Sequence, residues 1–317
     1  MDARAAGIRD ASLLSVAVVL GALMSPQLAV VGLPVAAAGV AGLAYRGRIA
    51  LAAFAAALGV GAVAALQRID VVFVAPAVIA ILFAVVMLPK RDAQVVGGAL
   101  VGVFTLASVA FEELLARGQG TTLTAATALQ MQAVVREFTK ALGTSASAEL
   151  VSRLKEVAQT MSTAWPATYF ESAVVVGVLV IVAIAWAARR AGREVNVPSF
   201  SRLDLTPHVL WAFVVGVLLI AASYGAFSAS KAFGVVGLNL VLCARTLFIL
   251  QGLSVSAGLL DRTGVGLGGR ILALAALAAL DALTLVVSFI GLLDFWVNFR
   301  RLPRDGVTPA APTQADA

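Results

Sequence analysis

Along most of the chain, apolar residues come in runs of about 17 to 20 separated by short polar and basic stretches. A helix needs about 20 residues to cross the hydrocarbon layer at 1.5 Å per residue. Residues 11 to 44 carry no charge and are too long for one ordinary crossing. Pro26, in "MSPQ" at 24 to 27, lacks a backbone donor and disfavours helix at the residue before it, which predicts two short helices over 11–24 and 29–44. Further segments follow at 49–66, 70–89, 93–112, 168–188, 209–228, 232–260 and 270–293. Strand-like alternation is missing, which excludes a closed β-barrel. The fold class is therefore all-α, a polytopic membrane protein of about eight or nine transmembrane helices.

One long polar insertion interrupts the pattern, and its period is helical. Met131, Val134, Val135, Phe138 and Leu142 share one face, and Leu150, Leu154, Val157 and Met161 repeat it after "GTSAS". Two amphipathic helices are predicted, a hairpin that packs on itself or lies on the membrane surface. The chain thus divides into N-terminal membrane helices (1–112), this extracytoplasmic insertion (113–167), C-terminal membrane helices (168–299) and a tail (300–317), basic at first and disordered from Gly306.

Composition sharpens the class. Apolar residues make up 61% and charged residues 13%, against roughly 25% charged in soluble domains. The net charge of +6 falls in loops, with no basic run interleaved with aromatics, so no nucleic-acid partner is expected. Arg4 and Arg9 precede the first apolar segment, but no small-residue cleavage site follows it, so it is expected to be retained. Arg46, Arg48, Lys90, Arg91, Arg189, Arg190, Arg193 and Arg202 share one side when crossings alternate, which makes that side cytoplasmic in a bacterial inner membrane. Nine crossings then put Arg300, Arg301 and Arg304 outside, against the rule. Either 232–260 is a hairpin or the rule fails there. Trp165, Trp186, Trp211 and Trp296 fall at or near segment ends, where indole rings favour the headgroup layer.

Few polar side chains lie inside the apolar runs. Arg245 and Asp281 stand near the midpoints of consecutive segments, and consecutive helices run antiparallel, which puts the two at equal depth and predicts an intramembrane ion pair. The same register sets Asn239 level with Ser288, and Gln251 is a further intramembrane polar residue. These residues either fix helix register or mark a ligand pathway. Ala52/Ala56 and Gly98/Gly102 have the four-residue spacing that lets helices approach, in internal packing or against a partner membrane subunit. "GVGLGGR" (264–270) follows a membrane segment and lacks the Lys-Ser/Thr ending of a phosphate loop, so it is an inter-helix loop. One histidine, His208, and one cysteine, Cys243, support no metal site, cofactor, disulfide or His-dependent nucleophile. Glu112 and Glu113 stand at a membrane exit, and no second acid lies within two turns of Asp281 or Asp294. No enzyme is expected.

The layout of "TAWPATYF", "LDLTPHVLW", "LNLVLCARTLFILQGLSV" and "GLLDFWVNFRRLPR" resembles the YybS-like family of bacterial membrane proteins, whose domain has no assigned function. That family is in turn distantly similar to the substrate-binding S components of energy-coupling-factor transporters. The resemblance implies an S-component-like core of six helices with a small-molecule ligand in a polar cavity among them. The long insertion and the extra C-terminal helices depart from that pattern. The alternative function is a non-transporting scaffold or regulator of envelope proteins.

Overall fold

A computed structural model describes residues 3–25, 27–66, 68–143, 147–224 and 231–303. Pro26, part of "GTSAS" and the tail from Gly306 lie outside the described residues. Every regular element among the described residues is helical. Two compact units form, Met1–Val197 with Leu219–Asn239, and Pro198–Leu218 with Leu240–Ala317.

The first unit holds α1 (Ala3–Met24), α2 (Ala29–Ala44), α3 (Ile49–Leu66), α4 (Val71–Met87), α5 (Ala93–Gly118), α6 (Leu123–Leu142), α7 (Ala148–Thr163) and α8 (Trp165–Arg190). Lipid tails are as apolar as leucine, so burial out of water does not drive these helices together, and close van der Waals contact does. Small residues supply it. A Cβ built on Gly21 would overlap the backbone of Gly32 and Ala36, so α1 and α2 touch main chain to main chain. The resulting core runs through α1 to α5 and α8, with Val18, Leu33, Ala52, Val74, Ile81, Leu100, Val180 and Ile184 almost wholly buried. Its buried residues are alanine, valine, leucine, isoleucine and phenylalanine. The Tyr45 hydroxyl donates to the Val85 carbonyl at 2.9 Å and ties the end of α2 to α4.

Thr122 and Ser147 cap α6 and α7 with their hydroxyls, and the two helices pack on each other. Packing consumes one face of each. Val134, Phe138, Val157 and Met161 stay more than half exposed. Glu113 closes the turn into α6, accepting from Arg117 Nε at 2.7 Å and from the Leu123 N–H at 2.9 Å.

The remaining helices are α9 (His208–Tyr224), α10 (Lys231–Leu260), α11 (Leu267–Thr284) and α12 (Val286–Val297). The second unit takes α11, α12 and most of α10. α10 is one continuous helix of 30 residues, which removes the hairpin alternative for 232–260 and keeps Arg245 at its midpoint. The segment expected over 270–293 is broken. Leu285 has φ 58° and ψ 10°, a left-handed conformation that ends α11 and starts α12. With 12 residues, α12 is about 18 Å long at 1.5 Å per residue, too short for the roughly 30 Å hydrocarbon layer. It packs instead on α10, where a Cβ on Gly252 would overlap the Val287 carbonyl and one on Gly291 the Phe248 carbonyl. Phe213, Phe248 and Phe295 stack edge to face around that crossing, with ring centres 5.5 and 6.0 Å apart.

Five described helices are long and apolar enough to cross a membrane, and shorter apolar helices accompany them. Trp186, Trp211 and Trp296 are exposed, and Arg190 stacks on the Trp186 ring at 5.0 Å.

Candidate functional site

The break at Leu285 leaves the last carbonyls of α11 and the first N–H groups of α12 without helical partners. Asp281 and Arg245 satisfy part of both sets. Asp281 Oδ1 accepts from the Ser288 N–H and Oδ2 from the Ser288 hydroxyl, each at 2.7 Å, so the carboxylate caps α12 from the preceding helix. Arg245 Nη2 donates to Asp281 Oδ2 at 3.1 Å and to the Asp281 carbonyl at 3.2 Å. Asp281 is 1% exposed at its side chain and Arg245 32%. Arg245 Nε is buried with no acceptor. The guanidinium is thus held at one corner while Nε remains uncommitted.

A second polar cluster lies about two turns further along α10. Gln251 Nε2 donates to Asp204 Oδ1 and Asp294 Oδ2, each at 2.9 Å, and Gln251 Oε1 accepts from the Leu205 N–H at 3.0 Å. Arg300 Nη2 donates to Asp294 Oδ2 at 2.8 Å and lies 3.6 Å from Asp204 Oδ1. Arg300 Nη1 reaches Ser254 Oγ at 2.5 Å and the carbonyls of Leu203 and Ser201 at 2.6 and 3.2 Å. Gln251, Ser254 and Asp294 are fully buried. Two carboxylates share one guanidinium and one amide here, which makes the cluster a clamp between the end of α12 and the segment 200–205.

One expectation needs correction. Asn239 and Ser288 do not meet: Asn239 Oδ1 accepts from the Ala167 N–H at 3.0 Å and Nδ2 donates to the Thr163 carbonyl at 2.9 Å, closing the α7–α8 turn. The register argument fails for that pair because it assumed an unbroken helix beyond residue 284. Of the two uses expected for Ala52 and Ala56, they serve internal packing: both are buried in the core of the first unit. Gly98 and Gly102, by contrast, have open space where a Cβ would stand.

Sequence reading missed Asp204, Ser254 and Arg300. Arg300 stands at the basic start of the tail, and its place six residues after Asp294, an aspartate in an apolar run, is the sequence signal that links the two. Among the described residues no cluster of histidine, cysteine and carboxylates fit for a metal ion forms.

These helices and their sparse, buried polar groups define a polytopic helical membrane protein. The chain belongs to the family described as Predicted membrane protein (DUF2232), whose family model matches residues 12–295. No curated protein and no solved structure matches it.

Proposed function

We propose that the chain is a non-enzymatic subunit of a bacterial inner membrane that binds or passes a small anionic solute at Arg245. The observation that carries the reading is the Arg245 guanidinium: at the middle of a 30-residue helix, one third exposed, held at Nη2 by Asp281, with Nε lacking an acceptor. Intramembrane charges are costly and commonly mark substrate or ion pathways, and broken helices recur where transporters bind substrates. A carboxylate or phosphate would pair with the accessible part of the guanidinium, since a guanidinium bonds both in a fork.

Helices α1 to α5 and α8 share one hydrophobic core. That core has apolar walls, and the grooves beside it lie between α1 and α3. The binding role therefore moves from the first six helices to the second unit.

A thermal-shift screen in detergent tests the reading, with carboxylates and phosphate esters set against uncharged nucleosides and amines of similar size. A ligand that binds only the folded state adds about 2.7 kcal/mol at a hundredfold excess over its Kd. Anionic solutes should raise the Tm of the wild type and leave Arg245→Gln unmoved. A panel with no hits favours the scaffold reading. For that alternative, the exposed Val134, Phe138, Val157 and Met161 on α6 and α7 are the supporting observation.

A further inference from the structure

What kind of molecule carries negative charge to Arg245 depends on where the guanidinium stands. α10 has 30 residues with Arg245 near its midpoint, so about 20 Å of helix separates it from either end. Lys231, at the first position, is the other charged residue of the helix. Arginines near helix ends extend to the headgroup layer, but this one is tied at Nη2 to both the carboxylate and the carbonyl of Asp281. Nε is buried. Nη1 is the nitrogen left at the surface, with no hydrogen-bond partner among the described residues.

Apolar side chains surround the pair. Asp281 is the one buried residue of α11, and the large side chains next to it that reach the surface are Leu280, Leu283 and Leu285. The hydroxyls nearest in sequence face protein oxygens: Thr246 donates to the Leu242 carbonyl at 3.1 Å, Thr284 to the Leu280 carbonyl at 2.9 Å and Ser288 to the Asp281 carboxylate. Their donors are spent, and the approach to Nη1 past these residues is apolar.

We propose that the anion held at Arg245 is a long-chain carboxylate that arrives through the hydrocarbon layer, its head on Nη1 and its chain along the exposed leucines of α11. This names the ligand class of the anion site proposed above and rests on that site. Asp281 already neutralises Arg245, so a carboxylate adds one net charge at this depth and a doubly charged phosphate ester adds two, where each is costly. A carboxylic acid also enters hydrocarbon in its neutral form, and its carbonyl oxygen accepts from Nη1 in that form too.

Native mass spectrometry tests the proposal with full-length protein in an uncharged detergent and an equimolar mixture of palmitate and hexadecanol, which share a chain length and differ in the head. The wild type should retain one palmitate in preference. Arg245→Gln should lower that preference about tenfold, as expected for one hydrogen bond to a charged group. The neutral double variant, Arg245→Gln with Asp281→Asn, should do the same, which keeps the test decisive if the single variant fails to fold. Acetate at the same concentration should not displace palmitate. Equal retention of palmitate and hexadecanol by the wild type, or an unchanged preference in either folded variant, would overturn the proposal. Displacement by acetate, or a thermal shift with acetate and none with palmitate, would overturn the long-chain class and leave the anion site standing. A wild type that retains no palmitate and shows no thermal shift with any anion removes both.

Discussion

Asp281 serves two helix ends at once, its carboxylate capping α12 and its backbone carbonyl accepting from Arg245 at the end of α11. Asp281→Ala removes the counter-charge of Arg245 and orphans both Ser288 donors, and breaking a buried pair costs about 3–5 kcal/mol. Adding Arg245→Ala should recover part of that loss in a thermal unfolding measurement. Recovery stays incomplete because unmet donors at Ser288 still cost about 1–3 kcal/mol. Full recovery would remove the capping role, and none would remove the pair. Leu285 is the second residue-scale test. A left-handed backbone costs an L-residue roughly 1–2 kcal/mol, so Leu285→Gly should raise the Tm, and a lowered Tm would contradict the break. The equal depth of Arg245 and Asp281 is legible from segment midpoints. The break is not, because "LTLVV" around Leu285 contains no glycine, proline or asparagine. What ends α11 there is tertiary: the carboxylate of Asp281, the guanidinium of Arg245 and the seat that Gly252 offers to α12.

At the scale of elements, the crossing of α10 and α12 depends on two glycines with no room for a methyl group. Overpacking a close contact costs about 1–3 kcal/mol, so Gly291→Ala should lower the Tm while Gly98→Ala, in open space, should not. Equal Tm values for the two variants would show that α12 is not seated on α10. Apolar runs locate the membrane helices within a few residues but misjudge where helices end. α5 continues to Gly118, past the apolar run, because Arg117 and Glu113 pair one turn apart and Glu113 then caps the turn into α6. Hydropathy reports where lipid ends, whereas hydrogen bonding decides where a helix ends. Asn239 was legible as an unusual polar residue in an apolar run, but its partners Thr163 and Ala167 lie more than 70 positions away, beyond the reach of any local pattern.

For the whole molecule, the broken last segment changes the side expected for the basic residues after α12. Arg300 bonds the carbonyls of Ser201 and Leu203 and pairs with Asp294, so the end of α12 returns to the segment that precedes α9. The arginine count leads one to expect that segment on the cytoplasmic side, and the same side is then expected for Arg300. In a Cys243→Ala background, cysteines at Lys90, Glu194 and Thr313 should be labelled from the cytoplasm and one at Glu149 from outside. The exposed loop glycines Gly47, Gly143 and Gly192 have positive φ, so a cysteine there would be strained, which makes Lys90, Glu194 and Glu149 better probes. Labelling of Thr313 from the side opposite to Glu194 would restore a ninth crossing and contradict the return of α12. The functional claim rests on a reachable guanidinium in the middle of α10, and the most direct measurement is modification of the wild-type protein in proteoliposomes by phenylglyoxal, mapped by peptide mass. Arg245 should react more slowly than the loop arginines, much faster than the buried Arg300, and less in the presence of any anionic solute that raises the Tm. An Arg245 as inert as Arg300, with the loop arginines fully modified, would contradict the account.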